Sequence, residues 1–275
     1  MRSVAILGCG PAGLMAAHAA VLSGWDFRIY SRKQKSALYG AQYLHKAIPG
    51  IDTHQPQIVK YQLNGTPEQY RNKVYGEGWD GTVSPEDLMT EHPAWDLRAA
   101  YDKLWRLYGD EVDDATIGPG GINPRTWLWM EEHDLVISTI PRKAFAEPGD
   151  EFLSTKVWAL GDTEMPRVEK PYRPEPFTVM CDGRPHVPWY RVSNIYGYCT
   201  IEWPYMAYKF KELGHGMVTI KAPHPGASIV EKPLSHNSTA ASDFVHLGRY
   251  GKWEKGVLTS DAYYDAMKVF ADDHI

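Results

Sequence analysis

Cysteine is scarce in this chain and carries no pattern. The three cysteines, Cys9, Cys181 and Cys199, make neither a CxxC pair nor an even set. A disulfide framework is excluded, and a reducing cytoplasm is the expected setting. Metal signatures are missing as well: His54, His92, His186, His215, His224 and His236 are scattered among Pro- and Gly-bearing loops, without HExxH or Cys-His spacing, so no metal site is expected. There is no GxSxG elbow for a Ser-His-Asp hydrolase. Nor is there a heptad array, a fixed repeat or a low-complexity tract. No stretch reaches the roughly 18 apolar residues that span a bilayer. The start, Arg2 followed by residues 4–22, looks like a secretory signal until Gly8, Gly10, Pro11 and Gly13 interrupt it. Long basic runs are lacking too. Arg32, Lys33 and Lys35 form the longest cluster in a chain of net charge -5, which speaks against gripping nucleic acid with the whole surface. That cluster reads as a solvated turn or as part of a cofactor site.

What is present is the composition of a folded globular protein, 43% hydrophobic and 23% charged over 275 residues. Residues 3–7 read as a short buried strand, 8–13 as a tight turn, 14–23 as an Ala-rich helix stopped by Gly24, and 27–30 as a second strand. That order is one βαβ unit, whose parallel pairing requires further parallel strands from elsewhere in the chain. Residues 95–108 carry a helical period and 134–140 an apolar strand, while 244–247 and a helix from about 261 to 270 read as a final return to the same sheet. Between them, 57–63 with the turn Asn64-Gly65, 177–181 and 189–192 across Asp182-Gly183, and 198–203 read as antiparallel structure. The expected fold is α/β: a Rossmann-like domain with a parallel sheet over 1–56, 95–165 and 240–275, and an inserted, mainly antiparallel substrate domain over 57–94 and 166–239.

The segment from Val4 to Leu14 places GxGxxG directly after a strand and at the opening of a helix, the context in which the motif binds a dinucleotide. Gly8 allows the tight turn, Gly10 lets the backbone approach a pyrophosphate, and Gly13 permits close helix packing, so the helix start faces the diphosphate charge. The wording Gly10-Pro11-Ala12-Gly13-Leu14 resembles the start of the FAD-dependent oxidoreductase superfamily. That resemblance implies FAD. At the end of the second strand, where this superfamily usually has an acid for the adenosine ribose, the chain has Ser31, followed by Arg32. Ser31 is able to hydrogen-bond a ribose, and an Arg beside a missing acid also suits the 2′-phosphate of NADP, so both nucleotides stand at this point.

Residues 244–253, Phe-Val-His-Leu-Gly-Arg-Tyr-Gly-Lys-Trp, followed by a helix, resemble the closing motif of UDP-galactopyranose mutase and amine-oxidase-like flavoproteins. The resemblance implies that Gly248 and Arg249 contact the FAD diphosphate or ribityl, and that residues 257–260, with Val257 and Leu258, approach the flavin ring. Residues 134–141 resemble the strand that passes near the cofactor before the chain crosses to the substrate domain. Together these likenesses cover the two ends and one central strand.

Two segments supply catalytic candidates. Residues 40–45 follow the second strand about where related flavoproteins bring the chain past the flavin, so Gln42 and His45 are candidates for ring contact or proton transfer; a loop imidazole bonded to backbone is the alternative for His45. In 190–203, strand alternation puts Arg191 and Ser193 on one face, where Arg191 is placed to clamp a carboxylate or phosphate against an aromatic wall. An ordinary amphipathic strand with Arg191 paired to Glu202 is the alternative. The expected activity is that of an FAD-dependent oxidoreductase taking hydride from a C–N bond of a small molecule into flavin N5. Alternatives are a flavin enzyme without net redox, including one acting on amino-modified bases of phage DNA, an NADP-dependent reductase, and a nucleotide-binding protein without turnover.

Overall fold

The computed structural model describes residues 1–32, 34–35, 38, 42–52, 54–117, 132–161, 174–205, 209–211, 218–220, 222–239 and 243–272. In chain order the strands are β1 (Ser3–Leu7), β2 (Asp26–Ser31), β3 (Gln57–Asn64), β4 (Glu91–Ala94), β5 (Val112–Asp114), β6 (Leu135–Ser138), β7 (Phe152–Leu160), β8 (Thr178–Asp182), β9 (Arg191–Ile195), β10 (Tyr198–Pro204), β11 (Lys209–Lys211), β12 (Val218–Ile220), β13 (Ser228–His236) and β14 (Val245–His246). The helices are α1 (Pro11–Leu22), α2 (Pro67–Tyr75), α3 (Pro85–Leu88), α4 (Leu97–Tyr108), α5 (Gly248–Lys252) and α6 (Asp261–Ala271).

The first sheet runs β14-β6-β1-β2-β5 and every pairing in it is parallel. β1 lies at its centre because Val4, Ala5, Ile6 and Leu7 are fully buried on both faces, as a strand covered on both sides must be. Alternation sends Val4 and Ile6 into a core with α1, α4 and α6, and Ala5 and Leu7 into a second cluster with Phe145 and Phe244. Helix α1 is buried from Gly13 to Ala20, so its small alanines let the neighbouring helices close over it. His18 sits inside this helix, with Nδ1 2.7 Å from the Tyr108 hydroxyl and Nε2 2.8 Å from the Pro49 carbonyl. A carbonyl only accepts, so Nε2 carries a proton and donates to Pro49.

The second sheet runs β13-β7-β10-β9-β8-β3-β4. Its pairings are antiparallel except β3 with β8. One face packs Trp158, Leu160, Val192, Ile201 and Trp203 together. The other, called the front face below, packs Val59, Val157, Ala159, Val179 and Cys181 with Tyr70 and Val74 of α2 and with Tyr43.

Three sequence expectations give way here. Residues 152–160, expected in the first domain, form β7, which hydrogen-bonds β10 and β13 inside the second sheet. Asn64-Gly65 is not a hairpin turn: Thr66 and Gln69 make a reciprocal capping box, Pro67 occupies the first turn, and the chain enters α2, a helix start that outweighs the turn dipeptide. Asp182-Gly183 does not close a two-residue hairpin either. β8 and β9 pair, but residues 183–190 join them, and the buried Asp182 carboxylate is taken by the backbone and guanidinium of Arg184. Among the described residues no helix is long and apolar enough to cross a membrane.

Candidate nucleotide and substrate site

The glycine turn is shaped by contacts that leave no room for side chains. Gly8 has φ +106°, and a Cβ on Gly13 would lie 1.8 Å from the Gly8 carbonyl oxygen, so helix and turn touch backbone to backbone. The Gly8 N–H donates to the Tyr30 carbonyl at 3.0 Å and the Cys9 N–H to the Ser31 hydroxyl at 3.1 Å. Ser31 therefore stands at the turn as expected, with its oxygen engaged in holding it. Arg32 is exposed, and its Nε donates to the Thr116 hydroxyl at 3.1 Å.

Above Gly10 the space is open. Among the described residues a Cβ there would meet only Lys35, its Cε and Nζ each 3.7 Å away. Helix α1 starts at Pro11 with no side-chain cap and no acidic residue in its first turn, so the N–H groups at Ala12 and Gly13 and the positive end of the helix dipole are directed at this space. An uncapped helix start facing an ammonium fits a diphosphate. Tyr101 of α4 sets the arrangement: its hydroxyl donates to the Cys9 carbonyl and accepts from the Lys35 backbone N–H, both at 3.1 Å. Burial pushes the Tyr101 pKa up to about 12. In the sequence Tyr101 falls within the helical period of residues 95–108, where nothing distinguishes its hydroxyl.

The other end of the chain arrives at the same turn. Leu247 N–H donates to the Ser138 carbonyl at 2.9 Å, and Gly248, at φ +70°, approaches so closely that a Cβ would lie 2.8 Å from the Ala12 methyl carbon. Gly248 thus joins Gly8, Gly10, Pro11, Ala12 and Gly13. Arg249 turns the other way. Its Nη2 donates to the Pro233 carbonyl of β13 at 3.1 Å, which sets its guanidinium on the second sheet rather than at the turn. Val257 and Leu258 are half-buried in the connection to α6. That connection is pinned by Lys255 N–H to the Leu234 carbonyl at 3.0 Å and by Leu258 N–H to Asp261 Oδ2 at 3.1 Å.

Gln42 reaches across to the front face, where its Nε2 donates to the Thr200 hydroxyl at 2.7 Å. Gly40 and Ala41 before it, like Lys33, lie outside the described residues. Thr200 and Ser193 are cross-strand partners with hydroxyls 2.6 Å apart, and the next pair on that face is Arg191 with Glu202. Arg191 Nη2 donates to Glu202 Oε1 at 2.7 Å; Tyr190 Oη and Lys232 Nζ donate to Oε2 at 2.5 and 2.8 Å. The pairing of Arg191 with Glu202 is the alternative left open above, and Arg191 does not stand as a free clamp. Lys232 gave no sequence signal, lying between Glu231 and Pro233 in a strand of mixed character. Burial would raise the Glu202 pKa, but Arg191 and Lys232 overrule it and hold the carboxyl below its usual range. Burial, then Arg191, lower Lys232 to about 7 against the pull of Glu202.

His45 lies apart from this cluster. Its ring centroid lies 4.4 Å from that of Tyr43 in a tilted contact and 5.4 Å from that of His92 in an edge-on one. Burial and then His92 lower its pKa to about 4, so it is a neutral imidazole at pH 7. Tyr43 in turn donates to the Tyr61 hydroxyl at 3.2 Å.

No protein-family model matches the chain, and no curated protein matches it. Solved structures do. The structure of 2,6-dihydroxypyridine-3-hydroxylase from Arthrobacter nicotinovorans is matched over 99% of this chain and 84% of its own, at 12% identity and a TM-score of 0.54. HpxO of Klebsiella pneumoniae, complexed with FAD and uric acid, is matched over 98% and 79%, at 13% identity and a TM-score of 0.51. The chain shares the fold of these structures. A third structure, p-nitrophenol 4-monooxygenase from Pseudomonas putida, is matched over 98% and 79%, at 12% identity and a TM-score of 0.51. At these identities the likeness is one of fold, and it does not bear out the narrower resemblance to amine oxidases and the mutase. Within this fold the α/β assignment and the parallel sheet around the glycine turn hold.

Proposed function

We propose that the chain binds FAD and is an oxidoreductase for a small molecule held between the glycine turn and the front face of the second sheet. The observation that carries this reading is the uncapped start of α1 under Lys35, closed from the far end of the chain by Gly248. In this reading Gly10, Ala12 and Gly13 offer N–H groups to the diphosphate, Lys35 neutralises it, and Ser31 and Arg32 lie at its adenosine side. Gln42, Val257 and Leu258 are assigned to the flavin end. Bound FAD supplies two-electron redox chemistry that no side chain here provides. The residues of the second sheet orient the substrate, and Tyr43, Tyr61 and Tyr190 keep water away from it.

Hydroxylation of a small aromatic or heteroaromatic ring, with dioxygen and a reduced nicotinamide as co-substrates, is the reading the neighbours' activities favour. Oxidation of a C–N bond is the second reading; the resemblance of residues 244–253 to amine-oxidase-like flavoproteins supports it. The absorbance spectrum of the purified protein tests the cofactor: bands near roughly 375 and 450 nm mark a held flavin, whereas a colourless protein that binds NADPH overturns the FAD reading. Oxygen uptake then separates the reactions. NADPH-driven uptake with phenols or hydroxypyridines supports hydroxylation, and uptake with amines in the absence of NADPH supports C–N oxidation.

A further inference from the structure

The front face of the second sheet gathers three cations around one carboxylate. Arg191, Lys232 and Arg249 come from β9, β13 and α5, and among the described residues Glu202 is the acid that answers them. Both Glu202 oxygens are already engaged, and its side chain is 2% exposed. Among the described residues the hydrogen-bond acceptor of the Arg249 side chain is the neutral Pro233 carbonyl. The Nε atoms of Arg191 and of Arg249 are buried without a hydrogen-bond partner among the described residues. The cations also oppose one another: Arg191 and Arg249 both weigh on Lys232, and Arg191 weighs on Arg249. Both arginines are half-buried, but a guanidinium Nε–H withdrawn from water without an acceptor is costly unless something completes it. A recess of about 290 Å³ is lined by Tyr75, by Thr155, the cross-strand partner of Lys232, and by Lys73 and Lys156, while the three cations themselves stand behind that lining.

The missing partner has a definite chemistry. It must be negative, flat and able to accept at least two N–H bonds, which describes a carboxylate facing arginine donors. Tyrosines 61, 70, 75, 190 and 250 surround the cations and favour an aromatic body behind that group. We propose that Arg191, Lys232 and Arg249 form the receiving site for the carboxylate of an aromatic acid, with Glu202 as the fixed counter-charge that holds Arg191 and Lys232 in place. This rests on the reading that the substrate meets the front face.

The test uses the purified holoprotein with benzoate and acetate as probes and benzamide as the neutral isostere of benzoate, read by titration calorimetry. Benzoate is expected to bind at least about tenfold more tightly than benzamide, as a charge-assisted pair requires. Arg249→Gln is expected to weaken benzoate by about tenfold or more while the flavin spectrum and circular dichroism stay unchanged. Lys232→Met, an apolar replacement suited to a buried site, gives the same loss should Arg249→Gln fold poorly. Equal affinity for benzoate and benzamide, no binding of benzoate or acetate, or an unchanged benzoate affinity in both variants overturns the proposal. A protein without flavin that still discriminates benzoate from benzamide would overturn the functional reading and leave this site standing.

Discussion

The hydroxyl of Tyr101 donates to the carbonyl of Cys9 at 3.1 Å, tying helix α4 to the middle of the glycine turn. Because the same oxygen accepts the Lys35 backbone N–H, one side chain fixes both walls of the space above Gly10.

Tyr101→Phe is therefore expected to keep the fold and loosen the nucleotide. Loss of two hydrogen bonds at a buried carbonyl and a loop N–H is worth about 1–3 kcal/mol, so the melting temperature falls and flavin is lost on dialysis. Flavin absorbance per protein before and after dialysis measures it. Full retention would remove Tyr101 from the site.

Two neighbouring glycines are expected to behave differently. Gly13→Ala drives a methyl into the Gly8 carbonyl oxygen at 1.8 Å and prevents folding of the turn, read as loss of soluble protein. Among the described residues a methyl at Gly10 meets nothing nearer than 3.7 Å, so Gly10→Ala is expected to change stability by less than about 1 kcal/mol. It would nonetheless abolish flavin binding, because the methyl occupies the path of the diphosphate.

Lys35→Ala and Arg249→Gln separate the two cationic sites. Lys35→Ala removes the ammonium over Gly10 and is expected to weaken FAD retention by about tenfold, as the loss of a charge-assisted contact does. Arg249→Gln, whose guanidinium faces β13, leaves FAD retention unchanged. Flavin released from Arg249→Gln under conditions where wild type holds it would return Arg249 to the cofactor.

Lys232 makes stability depend on pH in one direction. Its folded pKa of about 7 lies below the free value of 10.5, so between these values the unfolded chain holds a proton that the folded chain lacks. Stability from this group rises as pH climbs from 7 to 10.5 and is lost as pH falls back through 7. Lys232→Met is expected to remove that slope in denaturant titrations across this range; an unchanged slope would assign it to other groups.

Much of the nucleotide half was legible before any coordinates. Gly8, Gly10 and Gly13 are read by their place between an apolar strand and an Ala-rich helix, because local backbone sterics bind that spacing to one turn. Helix α4 is legible from its period, strand β6 from its apolar run ending at Pro141, and helix α6 from the Ser and Asp that start it. The capping box at Thr66 and Gln69 is equally local, yet the Asn64-Gly65 pair beside it carries the signature of a turn. β7 was misplaced for a different reason: an apolar strand carries no mark of which sheet it joins, and only pairing with β10 and β13 decides it.

The direction of Arg249 is the sharpest case. Gly248 and Arg249 are adjacent in the chain, yet the first packs on Ala12 and the second crosses to Pro233. Sequence determines which residues are small enough to let backbones touch, since that is a property of each residue and its neighbours. Which charges share a buried space is set by how two sheets and the α5 corner come together, so Lys232, Glu202, Arg191 and Arg249 became one cluster only in the folded chain.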